Sequence, residues 1–271
     1  MKFGLKPKPK IKKSIFTFWE PIKKIPGYIL LCIKTWKKFL PEYDIQFLDY
    51  KRVINLLGND TFSKINYKYL SLPIQADAIR VALLKKFGGI WMDPDTIITN
   101  REFLTNLENY ELAMVGENNM QHIGFIFASN NSKIMNDWLN EIIRRIRSLK
   151  QFDNTHKRRK EVIWSFLGNG IIDGLLNQNI YKNKFFRLDK KKLNVFPEKT
   201  FFSNTKLNDF QKYQKFYFHN REPKIILENT KGIIMLHNSW TPIKYKKMKE
   251  NEFLKQNILL SKLLDKILNT N

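Results

Sequence analysis

Cysteine is all but absent from this chain: Cys32 is the only one in 271 residues. A single cysteine excludes an internal disulfide framework and any cluster of thiolates holding zinc or an iron–sulfur centre. It falls within an expected helix as a small core residue, and the thiol-poor composition points to a reducing, cytoplasmic setting. Histidine is scarce as well, with four residues. Long hydrophobic runs are missing, since no stretch approaches the ~20 apolar residues that a membrane-spanning helix needs. The first 13 residues carry six lysines and no acid. They lack the apolar segment of a signal peptide and read as a basic arm over 1–13. No Pro/Gly/Ser-rich linker and no internal repeat divides the remainder. At 43% hydrophobic and 14% aromatic residues it reads as globular. One α/β domain over 14–250 with a terminal helix over 251–271 is the expected organisation.

Acidic residues are the other shortage, 25 against 48 basic ones, for a formal charge of +23. The basic residues cluster at Lys2–Lys13, His156–Lys160, Lys182–Lys192 and Lys244–Lys249. Such a surface attracts polyanions, either nucleic acid or anionic lipid headgroups. No helix-turn-helix, zinc-finger, RRM or KH signature is present, and the aromatics sit in apolar runs instead of alternating with Arg and Lys. Nucleic acid is therefore not an expected partner, and a basic binding module without catalysis stands as the alternative reading. Asn251 to Asn269 reads as one amphipathic helix with Phe253, Leu254, Ile258, Leu260, Leu264 and Ile267 on its apolar side. With Lys255, Lys262 and Lys266 interspersed, it suits either an anionic membrane surface or the flank of its own domain.

What the chain does have is the run QADAIRVALLKKFGGIWMDPD, Gln75 to Asp95. Ile79, Ala82, Leu83 and Phe87 recur at helical spacing and predict a core-facing stripe. Asp77 and Arg80, three apart, neighbour each other on another face of that helix. Gly88-Gly89 ends the helix, because glycine tolerates the left-handed conformation of a C-cap. Ile90-Trp91-Met92 predicts a short buried strand, with Asp93-Pro94-Asp95 turning off its end. In open α/β sheets ligands gather at the carboxyl ends of strands, where paired carboxylates suit a divalent cation. An aspartate after a strand also serves as a turn residue bonding its own backbone.

Ser14 to Trp19 predicts a first strand, Pro26-Gly27 opens a helix that Pro41 ends, and Tyr43 to Leu48 predicts a second strand. This strand–helix–strand opening is that of a nucleotide-binding α/β sheet. Leu112–Val115 and Ile123–Ala128 predict strands, Lys133–Leu149 a helix, and Ser165–Gly170 a loop feeding the next helix. Gly232 to Trp240 predicts a buried strand running into His237-Asn238-Ser239-Trp240.

The ordered set Asp77, Arg80, Leu83, Leu84, Gly88, Gly89, Trp91, Asp93 and Asp95 resembles glycosyltransferase family 32. This is a class with an Asp-x-Asp motif in a sugar-binding region, and capsular polysaccharide synthesis proteins and the clostridial glucosylating toxins are related to it. Ala76 stands where Ser is usual, and the similarity runs over roughly 14–100. The resemblance implies a GT-A-type, Rossmann-like mixed sheet flanked by helices, and a metal-dependent, retaining glycosyltransferase. Its donor would be a nucleotide sugar, UDP- or GDP-hexose, and its acceptor a cell-surface polysaccharide or lipid-linked precursor, with a toxin-like action on protein as the alternative. The implied cofactor is Mn²⁺ or Mg²⁺ on Asp95, with Asp93 reaching ribose or sugar hydroxyls and touching the metal through water. Asp77, Arg80 and Asp93 would be the catalytic set, Asp77 and Arg80 orienting the donor sugar or Arg80 instead neutralising the leaving phosphate, and Trp19 would stack on the base. His237 would join the metal shell, while Ser239 and Trp240 would close over the diphosphate. A cytoplasmic location is expected, and peripheral attachment to the inner face of the cell membrane would suit a lipid-linked acceptor.

Overall fold

The computed structural model describes residues 13–118, 120–156 and 162–269. The expected basic arm, apart from Lys13, and the basic cluster beyond His156 lie outside the described residues. The chain opens β1 (Ser14–Phe18), α1 (Gly27–Phe39), β2 (Asp44–Leu48), α2 (Tyr50–Leu57), α3 (Asn59–Ile65) and α4 (Leu72–Phe87). It continues β3 (Gly89–Met92), β4 (Thr96–Ile98), β5 (Leu112–Glu117), β6 (Met120–Ala128), α5 (Lys133–His156), α6 (Asn169–Leu176) and β7 (Phe185–Asp189). It closes α7 (Pro197–Phe201), α8 (Asp209–Tyr217), α9 (Lys224–Asn229), β8 (Ile233–Met235), α10 (Ile243–Lys246), α11 (Glu250–Leu254) and α12 (Leu259–Asn269).

Six strands form one mixed sheet in the order β2-β1-β3-β6-β5-β7, and β4 and β8 form an antiparallel ribbon. β1 runs parallel to both β2 and β3, while β6 is antiparallel to β3 and β5. Side chains alternate across a strand, so short apolar runs feed two cores at once. Ile15, Ile90, Met92 and Phe125 point into a core shared with α1, α8, α11 and α12. Phe16, Trp91, Met114 and Ile126 point into the other, with side chains of α2 through α6. The result is a sheet sandwiched between helical layers, the α/β class expected from the strand–helix alternation.

The Gly-Gly break does what glycine allows. Gly88 caps α4 at φ 65° and Gly89 enters β3 at φ 95°. A Cβ on Gly89 would also lie 2.6 Å from the Ser14 carbonyl oxygen, so β1 and β3 pair closely only around a glycine. Helix α4 differs from the expected single stripe. It is buried almost all round from Ile74 to Leu84, Asp77 and Arg80 included, because helices on its flanks complete the layer.

The C-terminal segment is corrected more substantially. The sequence pattern predicts one continuous helix over Asn251–Asn269; instead the chain breaks after Leu254, and Leu259 N–H bonds the His219 carbonyl at 2.8 Å as α12 begins. Phe253, Ile258, Leu260, Leu264 and Ile267 are all buried in the core shared with α1. The apolar face that a membrane would need is therefore inside the protein. Among the described residues no helix is long and apolar enough to cross a membrane.

Glu198, in the first turn of α7, is fully buried; Tyr217 Oη donates to its Oε2 at 3.3 Å, and its Oε1 has no hydrogen-bond partner. Burial raises its carboxyl from 4.5 to about 7. The folded state then holds a proton that the unfolded chain has released. The stability is present below pH 4.5 and is lost as pH rises to 7, by roughly 3 kcal/mol. Glu198→Gln should match the wild type in urea at pH 5 and exceed it at pH 8. An unchanged gap between the two proteins at both pH values would contradict this origin.

Candidate active site

A cleft of about 620 Å³ opens beyond the carboxyl end of β3 and along β6, where an α/β sheet binds its ligands. Four aspartates line it, and three of them, Asp77, Asp93 and Asp95, gather about the Arg80 guanidinium. Asp93 follows β3 directly and Asp95 precedes β4. Because β4 pairs antiparallel with β8, the Leu236 N–H bonds the Asp95 carbonyl at 3.1 Å. The ribbon thereby brings His237 and Asn238 beside Asp95, and Asn238 N–H donates to Asp95 Oδ2 at 2.7 Å. Tyr28 Oη in turn donates to Asn238 Oδ1 at 2.6 Å.

The other half of the set comes from α4. Arg80 reaches Asp77 at 3.0 Å and Asp93 at 3.4 Å, and its guanidinium lies over the Trp91 ring at 4.9 Å. It also donates to the Ile123 carbonyl, and Trp91 Nε1 donates to Asp93 Oδ1 at 2.9 Å. Strand β6 bulges here, its register against β5 slipping so that Val115 faces His122 while Met114 faces Ile126. The bulge frees the Ile123 and Gly124 carbonyls, and Gly124 accepts from Asp93 N–H at 2.7 Å. Bulges re-aim groups at functional sites. Close approach is built in at two glycines: a Cβ on Gly124 would sit 2.9 Å from Asp93 Oδ2, and one on Gly168 2.7 Å from Asp77 Oδ2.

Burial, ahead of any neighbouring charge, shifts the ionisable groups of the cleft. Burial raises Asp77 to about 7, with Arg80 opposing and Asp93 assisting. Burial and the neighbouring Asp93 raise Asp95 to about 7. Burial holds His122 and His237 down to about 4, so both rings are neutral at pH 7. A neutral imidazole and paired carboxylates are the groups a divalent cation takes.

His237 stacks flat on Phe196 at 5.6 Å and against Trp240 at 4.1 Å, and its buried Nε2 has no hydrogen-bond partner. That orphaned nitrogen fits an ion or a ligand donor. Asp93, Asp95 and His237 do not, however, converge as a closed set: among the described residues no three His, Cys, Asp or Glu side chains are grouped to hold a metal by themselves. The residues fit instead a magnesium-like mode, in which one or two carboxylates are completed by phosphate and water oxygens.

Of the sequence-derived candidates, Asp77, Arg80, Asp93, Asp95, His237 and Ser239 line one cleft. Trp240 packs behind it, edge-on to Tyr213 and against His237, and so fixes the imidazole. Trp19 is partly buried on the core beside the end of β1, outside the lining of this cleft. Sequence reasoning missed His122, Asn169, Asp173, Lys190 and Lys199, which also line it. A glycine inside a strand, Gly124 in His-Ile-Gly-Phe, was the available signal for a bulge or close approach.

A family model described as "Capsular polysaccharide synthesis protein" matches residues 2–140. No curated protein matches the chain. Among solved structures the chain is similar to the glycosyltransferase GlyE of Streptococcus pneumoniae TIGR4, at 13% identity and TM-score 0.42, over 89% of this chain and 61% of that one. It thus spans about three fifths of GlyE. It is also similar to the galactosyltransferase LgtC, solved with donor and acceptor sugar analogs, at 11% identity and TM-score 0.41, over 95% and 97%. Mouse xyloside xylosyltransferase 1 matches at 12% identity and TM-score 0.43, over 85% and 99%.

Proposed function

This chain belongs to the capsular polysaccharide synthesis protein family, and from that premise we propose that it is a GT-A-type, metal-dependent glycosyltransferase. It moves a hexose from a nucleotide sugar to a glycan or lipid-linked glycan precursor, with retention at the anomeric carbon, in the manner of glycosyltransferase family 32. The observation that carries the reading is the convergence of Asp93 and Asp95 with the buried Asp77–Arg80 pair in one cleft. Transfer leaves negative charge on a diphosphate oxygen. A bound Mn²⁺ or Mg²⁺ supplies Lewis-acid neutralisation of that charge, and Asp95 with Asp93 is the carboxylate pair to hold it. Arg80 and Asp77 have their side chains fixed by burial, which suits orientation of donor-sugar hydroxyls. Ser239 and Asn238 line the same cleft, and the Ser239 hydroxyl and Asn238 Nδ2 would serve phosphate oxygens. A cytoplasmic enzyme at the inner face of the membrane fits this substrate class.

The test is calorimetric titration with UDP- and GDP-hexoses, in Mn²⁺ and in chelator. Saturable binding of one donor that needs the ion is the expected result. If no donor binds while RNA or anionic vesicles bind tightly, the catalytic reading is wrong and the +23 charge is the functional feature.

A further inference from the structure

The lining of the cleft includes side chains that the donor assignment does not use. Trp164 lines it and is 65% exposed, whereas Trp36, Trp91 and Trp138 are fully buried. Met120, 69% exposed, also lines the cleft. A bare indole within a concave polar site loses apolar contact to water unless a ligand covers it.

Trp164 lies in the turn that leads into α6, on which Asn169 and Asp173 stand one turn apart and line the same cleft. Asp173 accepts from the Gln121 N–H at 3.3 Å and from Asn169 Nδ2 at 3.4 Å. Both bonds are long, and an ionised carboxylate has about four acceptor sites, so Asp173 retains capacity for donors from a ligand. An ionised Asp173 offers a phosphate no hydrogen, so an anion in this cleft would turn to Lys190 and Lys199 and leave Asp173 free for a hydroxyl donor. The fitting ligand therefore has an apolar face for the indole and hydroxyl donors around its edge for the carboxylate. A pyranose ring meets both needs through its C–H face and its equatorial hydroxyls.

We propose that Trp164 and Asp173 form the acceptor subsite, and that the acceptor enters as a pyranose stacked on Trp164 with a hydroxyl donating to Asp173. The inference rests on the glycosyltransferase reading above. Asp93 and Asp95 serve the donor, Trp164 and Asp173 the acceptor. Specificity toward the acceptor then lies in α6 and the turn before it, separately from the carboxylates.

The experiment measures product mass and initial rates with the donor that the wild type binds. The acceptors are methyl pyranosides of glucose, galactose, mannose and N-acetylglucosamine. At least one should be elongated. Trp164→Ala should raise its KM about tenfold, the loss expected from one uncovered aromatic contact, with donor Kd unchanged by calorimetry. Trp164→Phe should recover most of the affinity, and Asp173→Asn should also raise KM. Because Trp164 is exposed, its truncation leaves the cores intact.

A donor Kd that moves with Trp164→Ala would assign the indole to the nucleotide base and overturn the subsite. So would an unchanged acceptor KM, or a wild type that turns over donor but elongates no pyranoside. A wild type that binds and turns over no nucleotide sugar removes the underlying reading, and this inference with it.

Discussion

Asp95→Asn is expected to lose about 10²–10³-fold in donor turnover, the usual cost of removing one preorganised charge-stabilising group, without losing thermal stability. The carboxylate is raised to about 7 by burial and by Asp93, so ionising it in the ligand-free cleft is unfavourable. A bound cation relieves that repulsion, and so does an amide. The side-chain oxygen of Asn still accepts from the Asn238 N–H, which holds Asp95 Oδ2 at 2.7 Å, so the β4–β8 ribbon keeps its tie. Mn²⁺ should raise the melting temperature of the wild type, because an ion that binds only the folded state stabilises it by mass action. It should do so far less in the variant. A variant that melts well below the wild type would make Asp95 a structural carboxylate. One keeping more than about a tenth of the turnover would remove it from the chemistry.

The contrast between Asp95 and Arg80 shows what sequence could and could not reveal. The Gly-Gly break, the strand after it and the Asp-x-Asp at its end are local events, and each appears where spacing and turn chemistry put it. The two-sided burial of the sheet is legible in runs such as Ile90-Trp91-Met92, whose alternate residues enter different cores. Position within a layer is not a local property. Asp77 and Arg80 read as a pair on a secondary face of α4, yet they are only 4% and 5% exposed because other helices close over them. His122 could not be connected to Asp93 without the register slip in β6, which depends on pairing with β5. Lys190 reads as part of a basic cluster and Lys199 carries no signal of its own, and only the return of the chain through β7 and α7 brings them to the cleft. The terminal helix departs from its pattern for the same reason: helical periodicity holds over Leu259–Asn269, but docking on α1 decides where the helix breaks.

Arg80 should behave in the opposite way to Asp95, failing in stability before activity can be read. Its guanidinium is the only cation within ion-pair reach of Asp77 and Asp93 among the described residues, and its side chain is 6% exposed. Removing one partner of a buried ion pair leaves the other uncompensated, at about 3–5 kcal/mol. Arg80→Met should therefore lower the urea midpoint sharply at pH 8. Loss of the guanidinium also raises the Asp77 carboxyl further, since Arg80 is what holds it down. With the folded-state pKa higher and the unfolded value unchanged, the variant binds more protons folded than unfolded over a wider span. Its stability then falls more steeply than that of the wild type as pH rises from about 4 to 8. Arg80→Lys should recover only part of the loss, because one ammonium cannot serve two carboxylates and the Ile123 carbonyl with the geometry of a planar fork. The deciding variant combines Asp77→Asn with Arg80→Met. Coupling through one buried pair predicts that the double variant is more stable than Arg80→Met alone and flatter in pH. Strict additivity of the two substitutions would instead mean that Arg80 stabilises α4 through Trp91 and the Ile123 carbonyl, with the carboxylates contributing little.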